Sequence, residues 1–259
     1  IYTCGWYHVA AVRQGTGTNQ FAMYVNGKPV YTGTVATDYS QTQVLTLFGT
    51  RAAQGAVAQN FGGWMCGLRL STVARYTGAF TADQSILDAS MTSDVDTSLL
   101  MCTTGTNPPR SNHQRWVDYG QTRLMTTIPS SELRLGQHFP TTRNGYSAFF
   151  YDGGYNKLIA NNASGDFNFE NGDFSVELWC ANNYSWDAIS IGPRYIIDTR
   201  INFNDTGFVL RYNAMRRLEF WTSGRIILTD SYVTAPSTAV SYTHLRAHET
   251  GRNLVCRLL

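Results

Sequence analysis

Charge is sparse in this 259-residue sequence: only 15% of it is Asp, Glu, Lys or Arg. Lys and Glu are scarce beside Tyr, Phe, Thr, Val and Gly, and no long amphipathic helix is visible, so a helical bundle is not expected. No run of about 18 apolar residues is present, and no membrane insertion is predicted. The five cysteines, Cys4, Cys66, Cys102, Cys180 and Cys256, form no CxxC clip. That spacing argues against a zinc ribbon or redox motif and leaves them as small buried hydrophobes. G-x-S-x-G, P-loop and H-E-x-x-H patterns are also missing. No signal sequence opens the chain, which starts at Ile1 with a strand pattern already under way, so it is expected to be cut from something longer.

What is present is the balance of an all-β protein. Turn pairs recur at Asn26-Gly27, Asn144-Gly145, Gly153-Gly154 and Asn171-Gly172. "WYHVAAVRQ" alternates, with Trp6, His8, Ala10 and Val12 on one face and Tyr7, Val9, Ala11 and Arg13 on the other. "FAMYVNGKPVYTG" predicts two short strands joined by a type I′ turn at Asn26-Gly27. Strands are also predicted at "VLTLFG" and "GWMCGLRLS", the latter leading into "VARYTGAF" as an extended, packed connection. Residues 105–140 lose the pattern and read as a linker or long loops. Strand signals return at "YSAFFYDGG", "DFSVELWC", "RYIIDTR", "GFVLRYN", "RLEFWTS" and "RIILTD". In "DFSVELWC", Phe174, Val176, Leu178 and Cys180 share one face, and Asp173, Ser175, Glu177 and Trp179 the other.

The most suggestive metal pattern is "SYTHLRAHET", where His244 and His248 stand four residues apart with Glu249 beside the second. On a helix that spacing would place two imidazoles on one face, as zinc ligation requires. However, "VSYTHLRAHET", followed after three residues by "LVCRLL", resembles the translation of a sequencing-library adapter, with Gly251, Arg252 and Asn253 at the barcode. Residues 240–259 are therefore set aside as a non-native tail, expected to be exposed and poorly packed. Its three arginines against Glu249 carry the whole of the chain's formal +2. No nucleic-acid or acidic-membrane partner follows from that charge.

"WYHVAAVR", "FAMYVNGKPV" and "GWMCGLRLSTVARYTGAF" resemble, in that order, the second half of a laminin-G-like module of the concanavalin A-like lectin/glucanase superfamily. "TSLLMC", "YSAFFYDGGYNKL", "DFSVELWC" and "IIDTR" are similar to the first half of such a module. Phe150-Tyr151-Asp152 stands where Phe-Asp is usual, and Cys180 where an aliphatic is usual. The resemblance implies an antiparallel two-sheet jelly-roll sandwich, with residues 1–92 as the back of one module and 93–239 as the front of the next. Joined in permuted order, the halves could close into one sandwich. That requires the strands near Trp6 and Phe174 to lie in one body.

The resemblance implies three classes of function. Laminarinase-type relatives hydrolyse glycans with carboxylates on one strand. The nearest candidates here are Asp173 and Glu177, with Ser175 where a central acid would stand. Residues i and i+4 on a regular strand lie roughly 13 Å apart, whereas a retaining pair needs about 5 Å. Glu177 and Asp173 are therefore expected as solvated or hydrogen-bonded outer-face residues, His8 as a packed histidine, and no catalytic residue is assigned. His113 and His138 have no evident partner. A glycan-binding module would use rim loops, often with calcium held by Asp, Asn and backbone oxygens. "DTRINFNDTG" supplies Arg200, Asn202, Phe203, Asn204 and Asp205 as candidate ligand contacts, and Asp198, Asn202 and Asp205 as candidate calcium ligands. Plain turn chemistry explains the same residues. Tandem modules of this type also occur in phage tail and fibre proteins and in bacterial adhesins. The expectation is a binding or structural module of a virion or cell surface, partnered by a glycan or host-surface ligand and by neighbouring modules.

Overall fold

The computed structural model describes residues 6–40, 44–49, 61–82, 94–102, 117–118, 133–136, 147–150, 158–161, 165, 167–182, 193–200, 207–213, 217–222 and 225–232. Among these residues there is no helix, and so no helix long and apolar enough to cross a membrane. The strands are β1 (Tyr7–Arg13), β2 (Phe21–Val25), β3 (Lys28–Gly33), β4 (Val44–Leu47), β5 (Gly63–Ser71), β6 (Thr97–Cys102), β7 (Val117–Asp118), β8 (Leu133–Gly136), β9 (Ser147–Phe150), β10 (Leu158–Asn161), β11 (Phe174–Asn182), β12 (Arg194–Asp198), β13 (Phe208–Tyr212), β14 (Arg217–Thr222) and β15 (Arg225–Tyr232).

They form two antiparallel sheets. The larger runs β3-β2-β1-β11-β5-β6-β7, with β9 also pairing β5 and β8 pairing β9; the smaller runs β10-β4-β12-β13-β14-β15. Strands from the two ends of the chain therefore lie side by side: Arg13 stands opposite Phe174 and Tyr7 opposite Cys180 in the β1–β11 register. β11 separates β1 from β5, and β4 separates β10 from β12.

The β2–β3 hairpin has the two-residue loop that Asn26-Gly27 predicts. Val25 pairs Lys28, and both loop residues take positive φ, 49° and 76°, as a type I′ turn requires. The stretch 105–140 differs from expectation, because β7 and β8 fall inside it. Segments of two and four residues are too short to show a period; they are recruited by pairing with β6 and β9.

Alternation places Val9, Ala11, Phe21, Met23, Phe174, Val176 and Leu178 of the large sheet in one core with Phe208, Leu210, Leu218 and Phe220 of the small one. Aromatic rings join the sheets: Phe174 stacks on Phe208 at 5.3 Å and 7°, Phe208 on Phe220 at 5.3 Å, and Phe21 lies 4.6 Å from Phe220. Each such pair adds about 0.5–1.5 kcal/mol beyond its burial. Cys180 is a buried free thiol within reach of the Tyr212 hydroxyl, 3.1 Å away. The cysteine expectation thus holds there, and the other four thiols lie outside what is described.

One end of this core is closed by Arg13, which is fully buried. Its guanidinium donates to the carbonyls of Gly172 (2.8 Å), Thr37 (2.7 Å), Glu170 (2.6 Å) and Phe169 (3.3 Å), and lies over the rings of Tyr39 and Phe174. Burial pulls its pKa down, and nearby Tyr39, Asp173 and Asp38 partly offset this. The turn predicted at Asn171-Gly172 is present, and Glu170 enters it at a φ of 44°.

Candidate functional site

Alternation also decides what points away from the core. On the outer face of the large sheet, His8 of β1, Glu177 of β11 and Arg69 of β5 lie in neighbouring strands, with Glu177 directly opposite Arg69. An outer face of an antiparallel sheet ordinarily meets water. Here Glu177 and His8 are both fully buried, because the connection 72–82 runs back across that face as a strap. Tyr76 and Phe80 from the strap stack at 3.5 Å and 6°, and His8 meets Phe80 and Trp179 edge-on.

Three side chains converge on the carboxylate: Arg69, Tyr76 and His8. Oε1 of Glu177 accepts from Arg69 Nε at 2.5 Å and is ion-paired to the same guanidinium; Oε2 accepts from the Tyr76 hydroxyl and lies 3.2 Å from His8 Nε2. A carboxylate only accepts, so the His8 proton sits on Nε2. Nδ1 has no partner among the described residues. Burial pushes Glu177 up, but the His8 hydrogen bond and the Arg69 charge outweigh it, so its pKa lies below the ordinary value. Burial and the adjacent Glu177 charge push the Tyr76 phenol well up.

The strap is tied down by residues of the same sequence motifs. Ser175 donates to the Val73 carbonyl at 2.6 Å and accepts the Arg75 N–H at 2.7 Å. Arg75 donates to Ser71 and makes a two-pronged pair with Asp94, at 2.7 and 2.6 Å. Asp94 is held far below its ordinary range by those bonds and by Thr97. Farther along, Phe80 N–H donates to the Gly27 carbonyl at 2.9 Å, and a Cβ on Gly27 would collide with the Phe80 carbonyl oxygen. His8 and Asn26 are joined in turn: His8 N–H donates to Asn26 Oδ1 at 2.9 Å and Asn26 N–H to the His8 carbonyl at 2.8 Å.

Chemically, Glu177 and Ser175 of the "DFSVE" face are both engaged. Glu177 has both oxygens occupied and no open side toward solvent, and the Ser175 hydroxyl is spent on the strap. Glu177 is thus hydrogen-bonded, not solvated, and Asp173 is half-buried beyond the strand's start. Sequence does not single out Arg69 and Tyr76 as partners of Glu177; strand spacing names a face but not the segment that will cover it.

The other candidate region is only partly within the described residues. Asp198 and Arg200 are brought together: Arg200 donates Nε to Oδ1 at 2.9 Å, a terminal nitrogen to Oδ2 at 3.0 Å, and its own N–H to Oδ1 at 3.0 Å, with both residues buried. Both carboxylate oxygens that calcium would need are engaged by the guanidinium, which also lies 4.2 Å from the Trp221 ring. Asn202, Phe203, Asn204 and Asp205 lie outside the described residues, as do His113, His138, His244, His248 and Glu249. Among the described residues no group of three His, Cys, Asp or Glu could hold a metal ion. In comparisons with family models, curated proteins and solved structures, nothing matches the chain.

Proposed function

We propose that this chain is a non-catalytic module of the concanavalin A-like, laminin-G-like jelly-roll type, acting in carbohydrate or surface recognition within a larger phage tail or fibre protein. The observation that carries the non-catalytic part is the state of Glu177. General acid–base or nucleophilic work on a glycan needs a carboxylate that reaches substrate. This carboxylate instead holds a strap over its own sheet, through Arg69, Tyr76 and His8. The recognition part rests on the resemblance of the motifs around Trp6, Asn26, Arg69 and Phe174.

Several weak modules in series gain strength through effective concentration, which suits a virion fibre, and equally a bacterial surface adhesin. Binding to a glycan array, together with reducing-sugar release assayed on β-glucans, tests the reading. Binding without release is expected, and release would return the chain to the laminarinase-like enzymes.

A further inference from the structure

The strap that buries Glu177 leaves a cleft of about 150 Å³ along its outer edge, between residues 76–78 and the first hairpin. Its floor follows from register. Val12, Ala22 and Thr32 stand in line across β1, β2 and β3, and Tyr24 and Pro29 form the next rung. Tyr24, only 3% exposed, meets Tyr76 edge-on at 6.3 Å, so two aromatic rings form one corner. The rim is Gln14, Asn19, Gln20, Thr32 and Thr77.

Two properties of this lining select a ligand. No residue in it is charged, although the hydroxyl of Tyr76, one of the lining residues, is bonded to Glu177. A charged ligand would therefore be desolvated without a counter-ion, at a cost the cleft cannot offset. The polar groups are hydroxyls and amides, and the Tyr24 hydroxyl, the Gln14 amide and the Thr77 hydroxyl make no hydrogen bond among the described residues. An apolar corner of tyrosine rings beside unspent neutral donors and acceptors matches one ligand class: a pyranose ring, with C–H groups on its face and hydroxyls at its edge. Sites for drug-sized ligands occupy roughly 300–1,000 Å³, so this cleft holds a single ring, with longer chains running out along its open side.

We propose that this cleft binds one neutral hexose unit of a glycan, with the edges of the Tyr24 and Tyr76 rings at its apolar corner and Gln14, Thr32 and Thr77 on its hydroxyls. The site rests on the recognition reading above and gives it a location different from the loop at residues 198–205.

Gly78 provides the test, because a Cβ there meets nothing within 4 Å and its φ is not left-handed. Gly78→Trp should fill the cleft and leave the sandwich intact, and Tyr24→Phe removes one hydroxyl while keeping the ring. The full chain and both variants are applied to an array of neutral and acidic glycans and titrated with free glucose, galactose and mannose, with melting curves recorded alongside. Binding to neutral glycans that Gly78→Trp abolishes, and that Tyr24→Phe weakens by up to roughly tenfold, the worth of one hydrogen bond, is the expected result. Binding untouched by Gly78→Trp would overturn this site and leave the recognition reading standing. Preference for acidic glycans would also overturn it, and no glycan binding at all would overturn both.

Discussion

Arg69 and Glu177 face each other directly across the β5–β11 pairing, and the arginine Nε–H donates to Oε1 at 2.5 Å with the carboxylate fully buried. A buried pair contributes less than its Coulomb energy implies, since both ions are desolvated, but removing one partner strands the other. Glu177→Ala should therefore cost about 3–5 kcal/mol, with Arg69, Tyr76 and His8 all losing their acceptor. Urea unfolding with intrinsic tryptophan fluorescence measures it; a loss under about 1 kcal/mol would mean the strap is held without the carboxylate.

Two glycines in or against the strap should respond oppositely. Gly27 combines a φ of 76° with a Cβ position occupied by the Phe80 carbonyl, whereas Gly78 faces open space. Gly27→Ala pays about 1–2 kcal/mol for the left-handed backbone alone, plus displacement of residues 80–82. Gly78→Ala should be neutral. Differential scanning calorimetry should show a melting drop of several degrees, at about 2–4 °C per kcal/mol for a chain of this size, in the first variant only.

The hairpin was legible because a two-residue Asn-Gly loop between alternating runs has one favoured geometry, and β5 was legible as a strand from its apolar run, although Gly67, at a φ of 56°, interrupts its alternation where the register with β11 shifts. The faces of β1 and β11 were legible too, from period two alone. What was not legible is that Tyr76, some hundred residues before Glu177, would lie on it: coverage of an outer face is a long-range event with no local period. The short β7 and β8 were missed for a related reason, since their pairing partners, not their own residues, make them strands. Asp198 and Arg200 read as loop chemistry because spacing of two on an ending strand does not disclose a mutual, buried ion pair.

Acid should loosen the strap. Glu177 and Asp94 both titrate below their ordinary values, so the folded state favours their ionised forms. Their contribution is complete above the unfolded values, about 4.3 for Glu and 3.9 for Asp, and is lost as pH falls through the lower, folded ones. Arg69 and His8 face Glu177 and stay behind as uncompensated donors when it protonates. Denaturation midpoints should fall between pH 5 and pH 2 (roughly the range spanned by these shifts). Glu177→Gln should start lower at pH 5 and fall less; an equal slope would place the acid sensitivity elsewhere.

Alkali and thiol reagents should find Cys180 inert until the sandwich opens. Burial raises its thiol to about 12, and Tyr7, whose hydroxyl is buried without a hydrogen bond among the described residues, is likewise raised to about 12. Raised acids stabilise the fold below their unfolded values, about 8.5 and 10, and lose that contribution as pH climbs toward 12. At pH 8, alkylation followed by peptide mapping should leave Cys180 unlabelled in native protein and labelled in urea. Native labelling would mean that the β11–β13 contact opens on the timescale of the reagent.

The order of strands makes the two parts of the chain interdependent. β11 occupies the position between β1 and β5, so residues 1–92 alone would leave a strand-wide gap with unpaired N–H and C=O groups on both sides. Residues 93–239 alone would lack β4 between β10 and β12. Each part thus completes a sheet begun by the other, and Phe174 reaches Phe208 and Phe220 only beneath the cover of Phe21 and Tyr39. Neither part should show a cooperative unfolding transition by itself. Cutting the folded chain at a protease site inserted near residue 107 should leave the two pieces associated through gel filtration, with near-native circular dichroism. If residues 1–92 instead melt cooperatively when expressed alone, the gap is tolerated, and β11 adds to a sheet that already exists.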